Sequence, residues 1–478
     1  MQYTKSTILK SFAWKLLEKF SLQIIAFVVA IVLARLLSPE DFGMAAIIIV
    51  IMTISDVIIQ GGLNMAVVQK KDPNSDDYST IFWCSLLLSL VIYLLVFIFA
   101  GRISSFFHME GLKAPLRVLC LTLIAYAFNS VQRAYVSKNM LYRQQFIAAL
   151  IAVLSAGATG IILAVRGYGV WALVWYYLLT TVLTSFLMLI TVKWRPTFRF
   201  SVTSFKALFG FGWKIMLSNT IISVFNNVRS IIVGRLFPAG LLGFYDRGRQ
   251  FPAIVVENIN ASVQTVIFPV LSEDQDNTSA MKETMRKSIR ICTFVIFPVL
   301  AWLLACADSV TELVLTAKWL PAVPYMRIFC IAYLLLPLQL SNLEAIKALG
   351  HSEVTLRIEL IKKAVEIAVL IVSAKMGIMA IAWGVVICNA AALLINLPPT
   401  LRYLGYSIRE QISDILPQLL ISALAGAAAY AIGLCGLGVA LKVLLQLSAG
   451  ILVYYLLSAL FRVKAFESGK SYMKSMIQ

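Results

Sequence analysis

Amide and charged side chains recur at helical spacing inside stretches that are otherwise apolar. Asp56, Gln60 and Asn64 fall at i, i+4 and i+8, along one face of a helix. Asn219, Ser223, Asn226, Asn227 and Ser230 make a second stripe with Arg229 beside it, and Arg247, Gln250, Glu257 and Gln264 make a third, flanked by Arg249 and Asn258. Near the start of the chain Lys15, Lys19 and Gln23 repeat the pattern, with Glu18 adjacent. Cations set among amides can bind an anion, and the carboxylates of Asp56 and Glu257 can take a proton or a sodium ion. A plainer reading stands beside each. Lys15 and Lys19 can snorkel from a helix end, the three arginines can be loop-proximal charges, and Asp56 and Glu257 can simply bond helix to helix.

The elements that hold these residues are membrane helices. The chain has 478 residues, 60% of them hydrophobic and 13% charged, with mean hydropathy +0.87. Apolar runs of about 18 residues or more recur along its whole length, enough for each to cross the hydrocarbon as a helix. They predict about fourteen spans, near residues 14–35, 43–65, 80–100, 115–136, 145–165, 169–192, 210–233, 250–271, 288–307, 325–345, 356–376, 378–398, 415–435 and 439–461. No cleavable signal peptide is expected, because the first apolar run follows a polar, basic start and is too long for a signal core. The seven cysteines lie singly in or beside apolar runs and read as packing residues. A net charge of +18 raises nucleic acid as a partner, but about 28 of the 41 basic residues fall in segments and helix ends on one side, from Lys5 and Lys10 through Arg133, Lys282, Arg286 and Arg290 to Lys470 and Lys474. That distribution fits the positive-inside rule, excludes a nucleic-acid surface, and predicts an inner (plasma) membrane protein with both termini cytoplasmic.

An internal repeat sets the expected architecture. Phe12-Ala13-Trp14-Lys15 returns as Phe211-Gly212-Trp213-Lys214, Ala34-Arg35-Leu36-Leu37 as Gly234-Arg235-Leu236-Phe237, and Gly43 as Gly243. An even number of spans separates the copies, so both enter the membrane from the same side. The expectation is an all-α integral membrane protein with two six-helix lobes, residues 1–206 and 207–400. A pseudo-twofold axis along the membrane normal relates them across a central cavity, and residues 401–478 add helices thirteen and fourteen and a tail.

Several chemistries are excluded. There is no phosphate-binding loop for ATP hydrolysis, no metal-ligand cluster and no cofactor motif. Connections of only about twenty residues leave no room for an extramembrane catalytic domain, so the chain is not expected to be an enzyme. In the eleventh span the pairs Glu359 with Lys363 and Lys362 with Glu366 are expected to neutralise one another. His108 and His351 lie in loops.

Trp14-Lys15, Leu33-Ala34-Arg35-Leu36-Leu37, Asp41-Phe42-Gly43 and Val67-Val68-Gln69-Lys70-Lys71 resemble the polysaccharide transporter family of the MOP superfamily. Gly234-Arg235-Leu236, Leu242-Gly243-Phe244-Tyr245, Phe268-Pro269-Val270-Leu271 and Lys318-Trp319 with Pro321 are similar to its Wzx-type colanic and teichuronic acid exporters. The resemblance spans most of the chain and implies flipping of undecaprenyl-pyrophosphate-linked oligosaccharide units by alternating access. On that reading Arg229, Arg247, Arg249, Asn226, Asn227, Gln250, Gln60, Lys15 and Lys19 meet the substrate. Asp56 or Glu257 takes a coupling H+ or Na+, and the prenyl tail stays in lipid. Such proteins work beside polymerases and glycosyltransferases, and a monomer is expected here. The competing reading is a cation-coupled multidrug or metabolite exporter of the same superfamily, which the cationic bias disfavours.

Overall fold

The computed structural model describes residues 5–60, 62–273 and 277–467, apart from the side chains of 5–12, 264–266, 268–270 and 272. The side chains of Lys5, Lys10, Phe12, Gln264, Phe268, Pro269 and Val270, and the tail lysines Lys470 and Lys474, therefore lie outside the described residues. Every described element is helical. In chain order they are α1 (Lys5–Leu36), α2 (Pro39–Gln60), α3 (Leu63–Gln69), α4 (Ser75–Phe106), α5 (Lys113–Leu119), α6 (Thr122–Asn139), α7 (Tyr142–Val165), α8 (Val170–Thr191) and α9 (Val202–Leu236). Then follow α10 (Ala239–Glu273), α11 (Thr278–Leu315), α12 (Val323–Tyr333), α13 (Leu336–Ala348), α14 (Ser352–Met376), α15 (Ile378–Leu404), α16 (Ile408–Gly433) and α17 (Val439–Leu460).

Among the described residues twelve helical segments are long and apolar enough to cross a bilayer. Two of these, Glu110–Asn139 and Ala317–Ala348, are built from shorter pieces: α5 with α6, and α12 with α13. The expected eighth and eleventh spans, α10 and α14, are not among the twelve. The apolar stretch of α10 runs through 264–266, 268–270 and 272, whose side chains lie outside the described residues, whereas α14 is crowded by charge, with Arg357, Glu359, Lys362, Lys363 and Glu366. The α14 charges do pair, but one residue closer than expected. Lys362 bonds Glu359 at 3.1 Å and Lys363 bonds Glu366 at 2.8 Å, both i,i+3, since on a helix i+3 is as near a neighbour as i+4.

The chain divides into two compact units, Met1–Gly243 and Phe244–Gln478. In the first, α2 starts with a reciprocal cap: the Ser38 N–H donates to Asp41 Oδ2 at 3.0 Å and the Asp41 N–H to Ser38 Oγ at 3.2 Å. Immediately beyond this cap the α1–α2 hairpin meets the start of α10. Gly43 packs on the backbone of Ala239, and Gly243 packs on the backbone of Pro39. The contact is reciprocal under the 200-residue offset of the sequence repeat, since 39 maps to 239 and 43 to 243. A side chain at either glycine would collide with main chain. At the far end of α2, Gly62 lies against the backbone of Gly212 on α9. Toward the first end Gly234 of α9 packs on Ile47 of α2, so glycines let α2 run close against α9 along its length.

The second unit is built on α11, which packs against α16 and α17. Pro298 interrupts its ladder, because proline has no N–H to give the carbonyl four residues earlier. That carbonyl belongs to Phe294, and Tyr454 Oη of α17 donates to it at 2.8 Å, so the freed acceptor is satisfied inside the protein, as hydrocarbon requires. Near the other end, Lys282, Arg286 and Arg290 occupy successive turns of one α11 face and lock the start of α16. Lys282 Nζ donates to Glu410 at 2.8 Å. Arg286 holds Asp414 through two bonds of 2.7 and 2.9 Å, Arg290 reaches the same carboxylate at 2.6 Å, and Tyr406 Oη completes it at 2.8 Å.

Arg290 and Asp414 are both buried, so removing the carboxylate strands two guanidiniums. Asp414→Ala is expected to lose about 3–5 kcal/mol, read as a lower melting temperature in detergent. Glu359→Gln, which breaks a half-exposed pair on α14, should change stability by about 1 kcal/mol or less. Equal shifts for the two variants would mean that the Asp414 network does not hold α16 in place.

Candidate functional site

The α2 stripe of the first unit meets α6. Asp56 Oδ1 accepts a hydrogen bond from the Gln60 side chain one turn along α2, as the i, i+4 spacing requires. The charge acting on this carboxylate is Arg133 of α6. Position alone made Arg133 look like a cytoplasmic helix-end residue, yet it sits within α6, two turns from its end, and is exposed. The next member of the stripe, Asn64 of α3, accepts from Ser130 of α6 at 2.8 Å, and Ser130 in turn lies 3.4 Å from Ser85 of α4. Asn129 Oδ1 and both polar atoms of the Gln132 amide are buried on the same helix with no hydrogen-bond partner among the described residues. Alpha-helix six is therefore the polar spine of this unit; Asn129 and Gln132 escaped the sequence reading, and Arg133 was read as an orientation charge alone.

A signal for that spine is present in the chain. From Gly111 to Tyr245 there is not one Asp or Glu, against thirteen Lys and Arg. Arg133 is one of them and Arg229 another.

On α9 the amide stripe divides. Ser223 and Ser230 are buried, Asn227 is half-buried and spends its Nδ2 on the Ser223 carbonyl at 2.8 Å, and Asn226 is exposed on the neighbouring face. Arg229 is half-buried. On α1, Lys15 bonds Glu18 at 2.9 Å and lies 5.3 Å from the Tyr142 ring, while Gln145 of α7 donates to the same Glu18 at 2.8 Å. Lys15 thus belongs to a knot joining α1 and α7, and Lys19 is exposed beyond it.

In the second unit Arg247 Nη1 donates to Gln250 at 2.5 Å and stands 6.0 Å from the Trp319 ring. Arg249 belongs to a different set. It lies 4.0 Å from Asp246 and feels Glu257 two turns along. Between them Gly248 packs directly on Tyr325, Ala322 and Met326, so the two arginines leave α10 on opposite sides of that seam, as residues two apart on a helix must. The expected grouping is kept for Arg247 with Gln250 and for Arg249 with the exposed Glu257, but Arg247 and Arg249 do not form one clamp.

The same unit holds a wide apolar groove of about 990 Å³ between α11, α16 and α17, lined by Phe294, Pro298, Trp302, Gly426, Gly450 and Phe466. Gly450 opens it, because a Cβ there would come within 3.3 Å of Trp302. Proline and glycine at these positions leave room for an extended chain. Sequence periodicity held no sign of the groove, since one wall comes from α11 and the others from α16 and α17, far along the chain from it.

Comparison with known proteins follows the same lines. The polysaccharide biosynthesis protein family matches residues 32–324. The teichuronic acid biosynthesis protein TuaB of Bacillus subtilis is 23% identical over 428 residues, covering 87% of each chain. The lipopolysaccharide biosynthesis protein WzxC of Escherichia coli is 22% identical over 417 residues, covering 84% of this chain and 83% of the other. Among solved structures the lipid II flippase MurJ in an inward closed conformation superposes with a TM-score of 0.77 at 16% identity, covering 94% of this chain and 98% of that one, which shows a shared fold. A chain whose described elements are all helical, with twelve segments long and apolar enough to cross a membrane and with cations and amides set into its helices, thus belongs to the polysaccharide biosynthesis protein family as a multi-pass membrane protein.

Proposed function

We propose that this chain flips an undecaprenyl-pyrophosphate-linked oligosaccharide repeat unit across the inner membrane by alternating access, with both termini cytoplasmic. The observation that carries this reading is the acid-free run from Gly111 to Tyr245, whose thirteen cations include Arg133 and Arg229 within helices. A diphosphate is doubly anionic and its glycan is rich in hydroxyls, so it calls for guanidiniums to bind the phosphates and amides to bond the sugars. Arg133 and Arg229, with Gln60, Asn226 and Asn227, supply both chemistries in the first unit, and Arg247, Arg249 and Gln250 supply them in the second. A carrier for cationic drugs would line its path with carboxylates instead.

The apolar groove of α11, α16 and α17 suits the remaining part of such a substrate. A prenyl chain lying there would keep its hydrocarbon out of the polar site while the headgroup crosses. Asp56, bonded by Gln60 and facing Arg133, is the carboxylate best placed to link a coupling H+ or Na+ to substrate charge, since a proton or ion on Asp56 would free Arg133 for phosphate. Glu257 beside Arg249 is the equivalent pair in the second unit. The reciprocal Gly43–Ala239 and Gly243–Pro39 contact closes one end of the α2 and α10 helices, and access from that side requires it to part.

Three outcomes check this reading. Cells depleted of the protein should accumulate an undecaprenyl-pyrophosphate glycan on the cytoplasmic face of the membrane, by leaflet-resolved mass analysis. Complementation with Arg133→Ala or Arg247→Ala should restore less than about a tenth of wild-type flux with normal insertion, the loss of a charge-assisted bond of about 1.5–3 kcal/mol. Wild-type flux would remove those arginines from the path. Gly43→Val, which drives a side chain into the Ala239 backbone, should abolish transport in protein that still extracts as a single species. Full transport in that variant would mean that the glycine contact is not a moving seal.

A further inference from the structure

Between α8 and α9 the chain runs from Val192 to Ser201 without helix, yet it is fastened along its length. Trp194 is buried in the aromatic core of the first unit, 5.9 Å from the Tyr78 ring and 6.5 Å from that of Phe82. The Thr197 N–H donates to Ser79 Oγ at 3.1 Å, and its carbonyl accepts from Trp83 Nε1 at 2.9 Å. The Ser201 N–H donates to Thr80 Oγ1 at 3.1 Å. All of these partners lie on the first turns of α4. A loop needing only to connect two helices requires none of these ties.

What the ties display is a row of aromatic and basic side chains turned outward. Phe198 is 94% exposed, its ring 5.4 Å from that of Trp83, and Phe200 is 51% exposed; Arg199 is exposed beside them, and the exposed Arg195 donates through Nη1 to the Val192 and Trp194 carbonyls, leaving its other N–H groups to the surface. Phe205 and Phe209 continue the row onto α9 as a stacked pair 5.2 Å apart, with Lys206 between them. Lys193 adds a further charge, and no acid falls among residues 193–209. The nearest acids on α4 are Asp76 and Asp77, at that helix's first turn, and Asp77 is already held by Lys70 at 2.6 Å.

Depth follows from length. Alpha-helix four has 32 residues, about 48 Å at about 1.5 Å per residue, against a hydrocarbon thickness of about 30 Å. Its ends therefore leave the hydrocarbon; the first end carries Asp76, Asp77, Ser79 and Thr80, side chains that belong at headgroup level, and the segment fastened there shares that level. Aromatic rings favour that zone, and Lys and Arg there attract anionic headgroups.

We infer that residues 193–209 form a preordered surface that binds anionic phospholipid at the bilayer interface, with Phe198 and Phe200 inserted among the headgroups and Arg195 and Arg199 on their phosphates. The surface fixes the α8–α9 connection to the membrane and needs no transported substrate.

A photo-reactive p-benzoylphenylalanine in place of Phe198, irradiated in intact membranes, tests this. The expected products are phospholipid adducts in which phosphatidylglycerol and cardiolipin are enriched over phosphatidylethanolamine relative to their abundance. Adding Arg195→Gln and Arg199→Gln should reduce that enrichment about fivefold or more while leaving lipid adducts in place. Adducts dominated by a protein would assign the surface to a cytoplasmic partner. Lipid adducts that follow bulk composition, or no adducts, would equally overturn the inference.

Discussion

A polar group inside hydrocarbon must find its partner within the protein or along a water-filled path, and a charge at helix mid-depth costs about 2.5–3.5 kcal/mol when it does neither. This chain meets the requirement in two distinct ways. Where the charge serves the fold, it is consumed: Arg286, Arg290 and Tyr406 saturate Asp414, Tyr454 satisfies the carbonyl that Pro298 leaves open, and Glu359, Lys362, Lys363 and Glu366 of α14 pair along their own helix. Elsewhere polar groups are held on a helix without being saturated. The exposed Arg133 faces one carboxylate, and Asn129 and Gln132 beside it keep acceptors and donors in reserve. The contrast separates framework from site.

Much of this was legible in the chain. Hydropathy located the membrane helices, because an apolar run of about 20 residues has few other uses. The repeat of Gly43 at Gly243 marked positions where two backbones meet, since only a residue without a side chain allows such an approach. The spacing of Asp56 and Gln60 correctly placed one beside the other. Three matters were not legible. Arg133 looked like an orientation charge because sequence distance to a loop says nothing about which face of a helix a residue occupies. Lys282, Arg286 and Arg290 looked the same, because their partners lie 124 to 128 residues away. The opposite departures of Arg247 and Arg249 follow from their spacing but were overridden by their shared charge.

The two units carry different chemistry. Cations and amides on α2, α6 and α9 suit a phosphate-bearing headgroup, and the groove of α11, α16 and α17 is almost wholly apolar. Helices α16 and α17, which lie beyond the internal repeat, form one wall of that groove and are fastened to α11 by the Asp414 network. Their attachment is therefore a condition for any role the groove has. A transporter for small drugs has no evident need of such an addition, whereas a lipid-linked cargo brings a chain that must lie somewhere while its headgroup moves.

The most direct measurement is translocation by the purified protein in sealed vesicles, using an undecaprenyl-pyrophosphate oligosaccharide whose outer-leaflet fraction is read by an added, impermeant glycan-modifying enzyme. The account expects protein-dependent appearance of glycan in the accessible leaflet, faster under an ion gradient. Vesicles in which the protein leaves that fraction at the protein-free level, with or without a gradient, would contradict it.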